Sequence, residues 1–389
     1  MSRRRPVTGL ILPGGGARAA YQVGVLAGIA ELYEPGSPVP FPVIAGTSAG
    51  AMNAAYLASR MGDFAAAAGR LRDIWGNLEV GDVYRAEYRK ILGVLLHWIW
   101  SVISGGLGRS NPRSLLDNTP LKNLLIDNID FDGIGDRIDE GLLRGLAITV
   151  AGYASERSLS YFQAAPEVQS WWRERREGRP ASIAIDHVMA SLALPIVFPA
   201  VKLRDEWCGD GSTRQFAPLS PAIHLGAERL LVIDIQHRAA YRAPAGGRGA
   251  QYPSISRVAG YLMDTIFSDS LYADLERLQR INRTLAHIPE EVAEDPGMPR
   301  LHRIETMLVA PSRRPARIAA GHVGELPTPI RWLLGSLGGE EEGGDLLLSY
   351  MLFEGAYCRE LIELGLRDAR ARSSELRRFL GLEEPARRV

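Results

Sequence analysis

The pentapeptide Gly46-Thr47-Ser48-Ala49-Gly50 follows the apolar run 41–45 and precedes a helix-like stretch over 51–60. A serine between glycines, at the junction where a strand gives way to a helix, sends the chain through a sharp turn. That turn lifts the hydroxyl to the top of a sheet, with the helix N-terminus beneath it as a source of positive partial charge. The pattern predicts an α/β fold with Ser48 as candidate nucleophile and Gly46 and Gly50 as its supports. In isolation the same five residues also describe a plain glycine-rich turn, so the reading depends on what else the chain offers.

A second glycine cluster supplies what a serine nucleophile lacks. Residues 7–12 read as a short buried strand, and Pro13-Gly14-Gly15-Gly16-Ala17-Arg18 then turns into an amphipathic helix running to about residue 32. Three consecutive glycines expose backbone N–H groups with no side chains in the way, and the helix N-terminus adds its dipole, so the loop can bind an oxyanion. Gly14, Gly16 and Ala19 also fit the dinucleotide pattern G-x-G-x-x-A. Against a dinucleotide site, the second strand ends in Gly46-Thr47-Ser48, where a ribose-binding Asp or Glu is needed, and no Walker Lys-Ser or Lys-Thr follows.

The third element is Cys208-Gly209-Asp210-Gly211-Ser212, after a hydrophobic stretch over 190–203. Asp210 between two glycines is either a tight turn or a carboxylate presented in a narrow space. Together with Ser48 and the triple glycine, this element resembles the patatin-like phospholipase family. Ala190-Ser191-Leu192-Ala193-Leu194-Pro195, Phe198-Pro199-Ala200-Val201 and Asp210-Gly211 follow that family's pattern, and Asp117-Asn118-Thr119-Pro120-Leu121 is similar to its bacterial members. One departure is Ala19, where the family has glycine after the basic residue of the first motif.

The resemblance implies a three-layer α/β/α sandwich with a central, mostly parallel sheet and added helices. It implies a Ser48–Asp210 dyad without histidine, acting on fatty acyl esters of phospholipids or lysophospholipids. Backbone N–H groups of Gly14, Gly15, Gly16 and Ala17 would hold the oxyanion, with Gly211 supporting Asp210. Arg18 is expected to steady the loop, to meet an anionic headgroup, or to be a solvated helix-start residue. The apolar stretch 194–201 and Trp207 are expected to keep the aspartate dry, which strengthens it as a base. His237, after the strand-like run 230–235, is the rival for a Ser-His-Asp triad. Two further readings are a membrane-associated binding protein with little turnover and a lipid acyltransferase using the same dyad. No cofactor or metal is expected.

The 389 residues are 46% hydrophobic, enough for one large core. We expect a catalytic domain over 1–310, with a mainly helical insertion at 63–140, and a loop and helical region over 311–389 packing on it. Lys plus Arg equals Asp plus Glu at 45 each, so global charge promotes neither nucleic-acid nor membrane binding. The expected partner is a lipid or membrane-surface substrate, not nucleic acid, and nothing indicates the oligomeric state. Two cysteines suit a reducing compartment, and the arginines at 3–5 lead into the first strand instead of a signal-peptide core, giving the expectation of a cytoplasmic protein, either free or peripheral to a membrane.

Later strands are expected over 146–153, 159–163, 230–235 and 306–310, with helices over 251–281, a surface loop or charged helix end over 171–179, a final amphipathic helix over 346–370 and a frayed tail from 371. The stretch 238–253 reads as a loop, either a connection or a lid. Residues 91–107 are almost wholly apolar, with Trp98 and Trp100 and a narrow polar stripe. On a helix they suit a core position, a subunit contact or a lipid-docking surface.

Overall fold

The computed structural model describes residues 6–85, 114–237, 254–288, 302–326, 328, 331 and 344–382. The apolar segment 91–107 and the stretch 238–253 lie outside these. Strand β1 (Thr8–Leu12) leads through a short 3-10 turn into helix α1 (Ala20–Ala30), and β2 (Val43–Thr47) leads directly into α2 (Ala49–Ser59). Helices α3 (Phe64–Gly76), α4 (Val80–Val83), α5 (Thr119–Asn128) and α6 (Gly133–Asp139) precede β3 (Gly145–Gly152) and β4 (Ser158–Ala164). Then come β5 (Trp171–Arg173), β6 (Arg176–Pro180), α7 (Ile185–Ser191), β7 (Val201–Leu203), β8 (Glu206–Asp210), α8 (Ser220–His224) and β9 (Arg229–Ile233). The remainder is α9 (Ile255–Asp264), a π-helical turn Thr265–Asp269, α10 (Ser270–Leu285), β10 (Glu305–Val309), α11 (Pro315–Ala320), α12 (Gly344–Met351), α13 (Gly355–Ala371) and α14 (Ser373–Leu380).

The described strands form one sheet in the order β10-β9-β1-β2-β3-β4-β6-β5, with β8 against β3 and β7 against β8. From β10 to β3 all neighbours run parallel, and antiparallel pairing begins with β3–β4 and β3–β8. Alternation of side chains across a strand fills two cores. Leu10, Leu12, Ile44, Ile148 and Leu231 face one side, while Ile11, Val43, Ala147 and Val232 face the other. The first core is closed by α1, α2, α3 and α13, the second by α8 and α10. This is a three-layer α/β/α sandwich.

Four local expectations change. Helix α1 is not amphipathic: all eleven of its residues are buried, because α13 covers the side that faces away from the sheet. Residues 171–180 form a β-hairpin instead of a surface loop, anchored by Trp171, which stacks on Phe162 and His224. The final helix is broken into α12 and α13 by an extended Glu354, which lets Leu352 and Phe353 enter the core. The tail beyond 371 is helical to Leu380, held by buried Leu376 and Phe379.

Register determines where the functional residues meet. Leu12 pairs with Gly46, so the glycine loop and the elbow leave adjacent parallel strands at the same edge. Thr47 pairs with Thr149, and the next residue of β3, Val150, pairs with Asp210. Ser48 and Asp210 therefore meet on one edge of β3, the edge that β2 and then β8 occupy, opposite β4.

Candidate active site

No residue separates β2 from α2 except Ser48, which takes φ 52° and ψ −130°. A non-glycine residue held in such a region costs about 1–3 kcal/mol and persists only where its surroundings enforce it. Here the Ser48 N–H donates to Ser191 Oγ at 2.8 Å, and the Ser191 hydroxyl donates to the Thr149 carbonyl at 2.6 Å. Gly50 allows α2 to begin hard against the end of β1, since a Cβ there would strike the Leu12 carbonyl. Gly46 lies under the first turns of the same helix, beside Ala54.

Asp210 ends β8. Its N–H donates to the Ala193 carbonyl at 2.8 Å, and its Oδ1 accepts the Ser212 N–H at 2.9 Å. The 190–195 segment thus grips the backbone of both Ser48 and Asp210, a role that the motif's apolar composition does not advertise. Gly211 packs on the Thr149 carbonyl. Ser48 is 4% exposed and Asp210 1%. Burial pushes the Asp210 carboxyl up to about 6, against the Ser48 and Ser212 hydroxyls and the Ser212 amide, which favour the charged form. Both hydroxyls lie close, yet neither completes a bond of normal geometry to Oδ2, which has no partner among the described residues.

Gly14 and Gly15 carry the chain from β1 to a 3-10 turn over Gly16–Ala19. Gly16 has φ +52° and lies against the Tyr350 carbonyl, a place closed to any side chain. The Gly16 and Ala17 amides open this turn, where N–H groups have no partner within the helix. Ala19 is helical at φ −65° and ψ −11°, so the missing glycine introduces no strain. A buried polar chain ties loop to elbow helix: Trp75 Nε1 donates to Asn53 Oδ1, Asn53 Nδ2 to Gln22 Oε1, and Gln22 Nε2 to the Pro13 carbonyl at 2.9 Å.

Arg18 is neither solvated nor turned toward a surface. Its side chain is 3% exposed. Nε donates to Ser349 Oγ at 2.8 Å, and Nη1 donates to Asp264 at 3.1 Å and to the Tyr350 hydroxyl at 2.9 Å. The guanidinium lies 3.8 Å over the Tyr350 ring. Tyr350 in turn donates to Asp264 at 2.6 Å and stacks on Phe267 of the π-helical turn. Position 18 was legible as basic, but its partners come from residues more than 240 positions away, for which the sequence carries no signal.

Ser48, Asp210 and Gly16 line a narrow apolar pocket with Met52, Leu121, Leu194, Phe198, Phe267 and Phe353. Its open space is about 40 Å³, far below the 300–1,000 Å³ usual for ligand sites. A ligand of more than a few atoms therefore requires these side chains to move. Larger grooves, such as the one of about 610 Å³ bordered by Tyr272, Glu305 and Arg372, include neither Ser48 nor Asp210. Leu121 brings the 117–121 motif into the site, where Asp117 caps α5 by accepting the Thr119 N–H. Trp207 does not cover the aspartate, because alternation along β8 turns it outward, 51% exposed. His237 is not in the pocket and pairs through Nδ1 with the Pro311 carbonyl at 2.9 Å.

Among the described residues no group of three or more His, Cys, Asp or Glu side chains could hold a metal ion, and no helix is long and apolar enough to cross a membrane. Cys208 and Cys358 are free and buried, and burial pushes the Cys208 thiol up to about 12.

The family model described as Patatin-like phospholipase matches residues 10–223. No curated protein sequence matches the chain. Among solved structures, it is similar at 12% identity to human GIVD cytosolic phospholipase A2 in complex with methyl gamma-linolenyl fluorophosphonate. That match covers 97% of this chain and 59% of that one, with a TM-score of 0.37. VipD from Legionella pneumophila matches at 12% identity over 92% of this chain and 67% of that one, with a TM-score of 0.31. The chain thus spans about three fifths of the phospholipase A2 chain.

Proposed function

Because this chain belongs to the patatin-like phospholipase family, we propose that it is a serine lipid acyl hydrolase cleaving fatty acyl esters of phospholipids or lysophospholipids. The observation that carries this reading is the strained, buried Ser48 beside a buried Asp210 of raised pKa, both opening onto one apolar pocket. Neither strain nor a desolvated carboxylate is favourable to folding, and their coincidence in a cleft points to chemistry.

In the reaction, the Ser48 hydroxyl oxygen attacks the ester carbonyl while Asp210 takes its proton. The negative charge that develops on the carbonyl oxygen is met by backbone N–H groups of the Gly14–Ala17 loop, each such donor worth about 3 kcal/mol in the transition state. Collapse expels the alcohol, which receives the proton from Asp210 and leaves an acyl group on Ser48. Water then attacks this ester with Asp210 again as base, and Ser48 is regenerated with release of the fatty acid. A carboxylate serves as base for an alcohol only when it is poorly hydrated and prealigned, and burial of Asp210 supplies the first condition. Arg18 acts on the loop from behind, through Tyr350 and Asp264.

The test is labelling by a fluorophosphonate together with lipid profiling of wild type beside Ser48→Ala. Labelling confined to Ser48, with loss of fatty acid release in the variant, is expected. Absence of labelling would favour a binding protein, and recovery of acyl groups on alcohols in place of free acid would favour an acyltransferase.

A further inference from the structure

A second serine stands in the site with no assigned task. Ser212, two residues after Asp210, is 9% exposed, and its hydroxyl lacks a hydrogen-bond partner among the described residues, as does Asp210 Oδ2. A buried polar atom left unpaired costs about 1–3 kcal/mol, so two of them on residues only two apart, one on a carboxylate that lines the pocket, call for a shared ligand. Ser212 Oγ, Ser48 and the Phe267 ring all lie against Gly14. The point where a Cβ on Gly14 would stand lies 2.8 Å from Ser48 Cβ and 2.9 Å from the Phe267 ring, and closer still to Ser212 Oγ. The Ser212 hydroxyl lies near enough to Asp210 to favour its ionised form without completing a bond of normal geometry, and a hydroxyl oxygen has two lone pairs with which to accept.

Resting on the acyl-enzyme reading above, we infer that Ser212 is a positioning residue for deacylation: with Asp210 Oδ2 it holds the water that attacks acyl-Ser48, and it thereby favours hydrolysis over transfer to alcohols. The water oxygen bonds to the acyl carbon, one water proton passes to Asp210, and the other hydrogen is accepted by Ser212 Oγ. The tetrahedral species then breaks its bond to Ser48 Oγ, Asp210 returns the proton to that oxygen, and the fatty acid leaves. An alcohol has one hydroxyl hydrogen, which goes to Asp210, and its carbon substituent is left against Ser212. In acylation Ser48 delivers its own proton to Asp210, so that step does not need the Ser212 oxygen.

The experiment is stopped-flow hydrolysis of a short-chain nitrophenyl ester by the full chain, wild type and Ser212→Ala, with and without added methanol. In the variant we expect a nitrophenol burst at a rate within about threefold of wild type, a steady state slowed about tenfold or more, and acyl-Ser48 visible by intact mass. The ratio of methyl ester to free acid should rise about tenfold. That ratio does not depend on how much enzyme is folded. Parallel loss of burst and steady state, or an unchanged product ratio, overturns the role of Ser212. Failure of the wild type to form any acyl-Ser48 overturns the acyl-enzyme reading itself, and with it this inference.

Discussion

The two halves of the site are held in different ways. The elbow and Asp210 are fixed mainly by backbone: Ser48, Thr149, Ala193 and Asp210 are joined through main-chain groups and the hydroxyl of Ser191, all within the segment that matches the family. The glycine loop is fixed by side chains. Arg18 is clamped by Asp264, Ser349 and Tyr350, every one of them beyond residue 223. Backbone geometry tolerates change in the surrounding sequence, whereas the clamp depends on the side chains of one arginine, one carboxylate and one phenol. Ser48 and Asp210 are proposed to react, while the clamp only supports the loop, so substitution of the reacting pair is expected to act in an all-or-none manner and substitution of the clamp by degrees.

The largest effect belongs to the nucleophile side. Ser48→Ala and Asp210→Asn should each lower kcat/KM for a soluble ester by about 10³-fold or more, and the double variant should be scarcely worse than either, as residues acting as one unit behave. The fold should survive. With a folded pKa of about 6 against an ordinary 3.8, Asp210 adds stability at low pH that is lost as pH rises from about 4 to 6, about 3 kcal/mol in all. Asp210→Asn should accordingly melt higher than wild type at pH 8, and a lower melting point would contradict the desolvation argument.

A pH profile sharpens the same point. Asp210 must be ionised to act as base, so kcat/KM should fall about tenfold per unit below pH 6, reaching about a hundredfold at pH 4. A histidine could give a similar midpoint, so the profile should be repeated in His237→Ala, where it should be unmoved. Abolition of activity by that substitution would install a triad in place of the dyad.

On the loop side, Arg18→Ala should cost about 2–3 kcal/mol of stability, less than for a wholly buried pair because the Asp264 side chain is 33% exposed, and reduce turnover about tenfold or more. Tyr350→Phe removes one hydroxyl from the clamp and should cost about 1 kcal/mol with a few-fold loss of turnover. If either variant matched Ser48→Ala in activity at full stability, the distinction between a reacting half and a supporting half would fail. The smallest effect expected is that of a chelator: with the oxyanion assigned to backbone amides, EDTA should leave hydrolysis of a soluble ester within about a factor of two.

Where an argument could be made from neighbouring residues, the sequence was a sufficient guide to local backbone structure. The strand–Gly-x-Ser-x-Gly–helix junction marked Ser48, and the triple glycine marked the loop beside it, because sharp turns and exposed amides require particular residues at adjacent positions. Hydrophobic runs located β1, β2, β3 and β9, whose burial on both faces leaves few alternatives, and also the half-buried edge strand β10. The sequence could not show that 171–180 is a hairpin, since its one buried aromatic, Trp171, is explained only by Phe162 and His224. Nor could it show that α1 would be enclosed on all sides by α13, or that Trp207 would face outward.

The site divides along the same line. Residue type singled out Ser48, Asp210 and the glycines as candidates. Only the tertiary structure decided that Asp210 is dry, that Ser191 holds the strained serine, that Ser212 shares its space, and that Arg18 is a buried clamp and not a surface charge. The physical reason is that backbone conformation is encoded over a few consecutive residues, while desolvation and ion pairing depend on which distant segments the fold brings into contact.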